Sequence, residues 1–261
     1  MALAVGAFTA YRYSVSQVFA PLPEVRFGWS DVIFLAGIVL FVLLTSRFKK
    51  LGRVSYRTFL VLVVFSGTQI VMGSFLTPPN DLWAALFIVL VFVFVRNVFS
   101  HNLGVVLGIA GIGSVLGLAL SPKTVVIIMV LLSFYDIISV YVTKHMVRMA
   151  KDMMEAGAIF GFVIPSEIKG FFSNKREAQA QVGERFMILG SGDVGLPIIL
   201  TSSVINSSAA DAIIVAGFSL GGLFLTHLIF VNQKERKPMA ALPPIATMAI
   251  IGYFVALITS F

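Results

Sequence analysis

The sequence predicts an all-α, polytopic membrane protein of nine transmembrane helices, six before and three after a long cytoplasmic loop. Three observations predict it. Of 261 residues, 58% are hydrophobic and only 12% are charged, with a mean hydropathy of +0.99, whereas a soluble domain is roughly half apolar and a quarter charged. The charges are missing from whole stretches of about 20 residues, the length a bilayer-spanning helix needs. The Lys and Arg residues gather in the short connections between those stretches. That is a topological pattern, so the net charge of +7 and the pI of about 9.8 do not point to nucleic acid, for which no recognition module is present.

Taken in order, with charges, prolines and Asn/Asp/Ser clusters as punctuation, the spans are expected at 2–20, 31–46, 58–76, 81–98, 102–120, 123–143, 185–204, 210–231 and 239–260. The first carries Arg12 and two tyrosines and lacks a cleavage site, so it reads as a span rather than a signal peptide. Asp31, Asp81 and Asp211 fall at span starts, where a carboxylate caps a helix or meets its dipole at the interface. Glycines recur at four-residue spacing, as Gly104/Gly108, Gly113/Gly117 and Gly217/Gly221, a spacing that lets helix backbones approach closely.

The three parts are residues 1–143, 144–184 and 185–261. The middle part is the one long polar or amphipathic connection, and Met146 to Phe162 within it could lie on the membrane surface as an amphipathic helix or be solvated. With a cytoplasmic N-terminus, the inner connections hold 16 of the 19 basic residues. Such an excess sets orientation: the 144–184 loop is expected inside and the C-terminus outside.

Two acidic residues do not fit the interface. Asp136 lies deep in the sixth span and Asp193 in the seventh. A carboxylate near the bilayer centre costs at least about 2.5–3.5 kcal/mol, so such residues face a bundle interior or a water-filled cavity. Each is eight residues from a basic residue at the inner boundary, Lys144 and Arg185. At 1.5 Å per residue, both would lie about 12 Å deep on consecutive antiparallel helices, where they can meet.

Paired carboxyls share one proton. The ionised member can take a proton from water while the protonated member polarises a carbonyl, which is the chemistry of aspartyl proteolysis. It needs no metal or cofactor. The chain has no cysteine, three scattered histidines and no HExxH, so thiol and zinc hydrolysis lack their usual groups. Gly190, Gly192 and Gly195 clear space around Asp193, and Pro197 cannot bond the Asp193 carbonyl. Gly190 to Gly195 also fits GxGxxG, but no soluble βαβ context supports a dinucleotide site.

Tyr135-Asp136 resembles the YD motif of the presenilin and signal peptide peptidase family of GxGD intramembrane aspartyl proteases. Gly190-Ser191-Gly192-Asp193 resembles its GxGD motif, and Ala241-Leu242-Pro243 its third signature, with Ala240 where the family usually has proline. The resemblance spans essentially the whole chain and is most like an archaeal presenilin homologue. It implies hydrolysis within transmembrane segments by Asp136 and Asp193, with Tyr135, Gly190, Gly192, Ala241, Leu242 and Pro243 against the substrate. The implied partners are transmembrane substrates and the bilayer, with homo-oligomerisation left open. An extended substrate would need backbone partners, expected near Leu242, Pro243 and the residues before Gly190. The alternative from another class is an ion- or proton-coupled transporter using the same aspartates.

Overall fold

The computed structural model describes residues 1–16, 49–155, 157–174, 177–178, 185–233 and 238–259. The expected span 31–46, with Asp31, lies outside the described residues. The elements are α1 (Ala2–Ser16), α2 (Lys49–Gly73), α3 (Asn80–Phe94), α4 (Val98–Ala119) and α5 (Pro122–Ile137), which runs into a π-helical turn (Ile138–Val142). There follow α6 (His145–Glu155), β1 (Gly161–Pro165), a 3-10 turn (Ile168–Phe172), β2 (Phe186–Gly190), α7 (Ser191–Ile205), α8 (Ala209–Val231) and α9 (Leu242–Thr259). By length and composition, Val54–Gly73, Val98–Ala119, Pro122–Val142, Ala209–Val231 and Leu242–Thr259 can cross a membrane.

The helix starts follow the local chemistry. The Asn97 side chain accepts the Ser100 N–H at 2.7 Å and caps α4. Ser121 caps α5 ahead of Pro122, whose missing N–H costs nothing at that position. Ser208 caps α8, and Asp81 and Asp211 stand in the first turns of α3 and α8 as expected. At the far end of α2, Arg12 of α1 forks onto the Ser74 carbonyl at 2.9 and 3.1 Å. Tyr13 donates to Ile70 O at 2.6 Å, so α1 satisfies carbonyls that the end of α2 leaves free.

The middle of the bundle is α4, which packs against α1, α2, α3 and α7. Glycine makes the α2 contact possible: a side chain at Gly67 would run into the Gly108 backbone, and one at Gly111 into the Gly67 backbone. Gly113 and Gly117 face α7, at Ile198 and Ser202. The expected pair Gly217/Gly221 behaves differently. Gly217 opens onto empty space, and the close approach of α8 to α9 is made by Gly222, where an added Cβ would stand 3.0 Å from Ile245 Cα.

The seventh span departs from expectation. Its residues Phe186 to Gly190 are not helical. They pair antiparallel with β1 in the register Gly161↔Gly190 to Pro165↔Phe186. A short apolar run fits a buried strand as well as a helix, and here Val163 and Phe186 are buried with Val98 and Ile159. Gly161 lets the strands close up, because an added Cβ would lie 2.5 Å from Leu189 O. The helix therefore begins at Ser191, which puts Asp193 in its first turn rather than eight residues along it. The middle part of the chain is correspondingly more than a loop, since α6 and β1 both lie in it.

Candidate active site

Asp136 sits near the end of α5, just before the π-helical turn, and is buried. Its Oδ2 accepts the backbone N–H of Leu242 at 3.2 Å. Leu242 opens α9, and the next two residues are Pro243 and Pro244. A helix start normally exposes four N–H groups. Two of these are absent here because proline has none, and the Leu242 N–H goes to Asp136. The third sequence motif thus serves to aim one donor at one carboxylate.

Asp193 is the third residue of α7, and Gly190 is the residue that caps that helix. From this position an acidic side chain reaches back to the capping backbone. The Asp193 carboxylate lies against the Gly190 backbone N–H. A Cβ placed on Gly190 would come within 2.9 Å of Asp193 Oδ2, so any side chain there would push the carboxylate aside. Gly192 is exposed, and an added Cβ there meets nothing within 4 Å. Pro197 is buried inside α7 without ending it.

The two carboxyl groups are near enough to act on each other electrostatically, with α5, α7 and α9 in mutual contact around them. The structure therefore brings together Asp136, Asp193, Gly190 and Leu242. Ala241 and Pro243 flank Leu242 and are half-buried. Tyr135, the residue before Asp136 on α5, has a side chain that is 55% exposed.

β2 leads into Asp193, and its surroundings were not legible in the sequence. Asn102 of α4 donates to Val163 O at 2.7 Å and accepts from Val163 N at 2.9 Å. His101 Nε2 lies 3.0 Å from Gly161 O. These residues anchor β1 to the start of α4. The only sequence signal was their polarity at the head of an apolar helix.

Two carboxyl groups within electrostatic reach of each other at the ends of apolar helices can share a proton, as aspartyl proteolysis requires. The family model described as signal-peptide peptidase, presenilin aspartyl protease matches residues 29–261, and the chain belongs to that family. Among solved structures, it is similar to a presenilin family intramembrane aspartate protease in a P2 crystal form, with a TM-score of 0.63 and 25% identity over 99% of this chain and 95% of that one. The C222 form of a presenilin family intramembrane aspartate protease gives a TM-score of 0.59 at 23% identity, over 97% and 93%. No curated protein matches the chain. The activity is intramembrane aspartyl proteolysis, as the motifs implied, and the transport alternative gains no support.

Proposed function

We propose that Asp136 and Asp193 are the catalytic pair and that they hydrolyse peptide bonds within transmembrane segments. The observation that carries this reading is that the packing of α5, α7 and α9 brings the two carboxyl groups within electrostatic reach of each other, each also held by one backbone N–H, that of Leu242 or Gly190. With one proton between them, the ionised carboxylate takes a proton from water as the water attacks. The protonated one hydrogen-bonds the scissile carbonyl oxygen. Return of a proton to the leaving nitrogen completes the cleavage.

A transmembrane helix shields its peptide bonds, so the substrate is held locally extended. Its unpaired backbone groups then need partners, because each one left unpaired in the membrane costs several kcal/mol. β2 supports this reading: its outer edge pairs with no other strand among the described residues, and the strand runs straight into the helix turn that carries Asp193. Leu242, Ala241 and Pro243 at the start of α9, where the Leu242 N–H meets Asp136, form the other wall. Tyr135, exposed beside Asp136 on α5, contributes a contact to the substrate.

In the full topology, nine helices cross the membrane, the 144–184 segment is cytoplasmic and the C-terminus is outside. The distribution of Lys and Arg supports this. The experiment is to incubate purified protein with a transmembrane peptide and weigh the fragments. Peptides with glycines beside the cut site should be cleaved faster than uninterrupted polyleucine helices. Equal rates would contradict the extended-substrate mechanism.

A further inference from the structure

The two edges of the β1–β2 hairpin are not equivalent. Ser166 N bonds Arg185 O at 2.9 Å and Ser191 N bonds Phe160 O at 3.2 Å. With the strand register, this makes Phe162–Leu189 and Ile164–Met187 the hydrogen-bonded pairs. Gly161, Val163 and Pro165 therefore turn their backbone groups outward from β1. Phe186, Ile188 and Gly190 turn theirs outward from β2.

On β1, three of the outward groups are taken by side chains of α4. Val163 N–H and C=O are both taken by the Asn102 carboxamide, and Gly161 C=O by His101. Pro165 has no N–H to offer. An Asn carboxamide, with a donor and an acceptor side by side, reproduces what a neighbouring strand would present. Closing an edge this way and placing a proline on it are both means of stopping strand addition. On β2, no bond from an outward backbone group to another strand is found among the described residues.

We infer that Asn102 is a positioning residue that closes β1 as a strand acceptor, so that an extended substrate joins the hairpin only along β2, beside Asp193. This rests on the protease reading above. By occupying Val163, Asn102 also fixes the hairpin to α4, and with it the distance from the β2 edge to the carboxylates. Chemically, the ligand is an extended peptide backbone, with alternate residues paired to Phe186 and Ile188.

The test compares the full-length protein with Asn102→Leu, close to Asn in size but unable to bond, and with Asn102→Asp, which keeps the acceptor for Val163 N–H. Backbone amide exchange is measured residue by residue, with and without a glycine-containing transmembrane peptide. Both variants are placed on an Asp193→Asn background so that nothing is cleaved. In the parent, the Val163 amide should be slow and unmoved by peptide, while the Ile188 amide slows when peptide is added. In Asn102→Leu, the free Val163 amide should exchange on the order of tenfold faster, the loss of one buried hydrogen bond, and should become peptide-protected. Asn102→Asp should restore slow exchange at Val163.

With the active aspartates present, Asn102→Leu should spread cleavage over neighbouring bonds. A purely structural role would lower yield without moving the cut. The inference is overturned if Val163 exchanges equally fast in parent and variant, or if peptide protects Val163 in the parent. It is also overturned if the cleavage pattern of Asn102→Leu is unchanged. Should Asn102→Leu fail to fold, Asn102→Asp decides alone: slow Val163 exchange with a wild-type cut supports the inference, and fast exchange with a wild-type cut overturns it. The exchange readout needs no turnover, so a wrong assignment of the catalytic pair would show separately, as cleavage surviving Asp193→Asn.

Discussion

Leu242 donates its backbone N–H to Asp136 Oδ2 at 3.2 Å, joining residues 106 apart in sequence. The bond fixes where α9 begins and where one carboxylate points. Leu242→Pro removes that donor at a helix start that already tolerates proline. Leu242→Ala keeps the donor and removes only a buried side chain. The proline variant should lose cleavage by at least about tenfold, an effect of the size expected when a buried charged acceptor loses a partner. The alanine variant should keep more activity but be less stable by about 2–5 kcal/mol. Initial rates and thermal unfolding in one detergent separate the two effects.

Gly190 and Gly192 stand two residues apart in the same motif yet face different surroundings. An added methyl at Gly190 meets the Asp193 carboxylate, while one at Gly192 meets nothing. Gly190→Ala should therefore reduce turnover strongly with little change in thermal stability. Gly192→Ala should fold normally and retain activity unless substrate fills that space. Parallel cleavage assays on both variants, normalised to folded protein, give the comparison.

Helix packing yields a similar contrast. Gly67→Ala forces α2 away from α4 and should destabilise by about 1–3 kcal/mol, as overpacking does. Gly217→Ala adds a methyl in open space on α8 and should be neutral or stabilise by roughly 0.5–1 kcal/mol, since alanine is the better helix former. Unfolding midpoints in detergent measure both. A larger loss at Gly217 would mean that its face is covered by another molecule.

Much of this architecture was legible because membrane spans leave coarse marks. Apolar length located α3 to α5, α8 and α9 within a few residues and α2 at its C-terminal end, and carboxylates within apolar spans singled out Asp136 and Asp193. What was missed depends on pairing over distance. Phe186 to Gly190 is a short apolar run, ambiguous between helix and strand, and only its partner Gly161 to Pro165 decides the matter. The roles of Asn102 and His101 depend on that same hairpin, 60 or so residues away. Gly217 has the right spacing but opens onto empty space, because spacing alone does not say which side of a helix is covered.

Cleavage should depend on pH with two arms. Only the singly protonated pair works, so acid removes the base and alkali removes the acid. The rate at saturating peptide should fall on both sides of a single optimum. A rate that is flat from about pH 4 to about pH 9 would contradict a shared-proton pair.

The central claim is most directly tested by weighing the fragments of a transmembrane peptide after incubation with wild-type protein, Asp136→Asn and Asp193→Asn. Asparagine keeps the carboxylate's shape and an oxygen for the Leu242 or Gly190 N–H, so each variant should insert and purify as the wild type does. The account predicts cleavage by the wild type and a loss of at least about a hundredfold in each variant, the scale of a missing general acid or base. Turnover near the wild-type rate by either folded variant would contradict it.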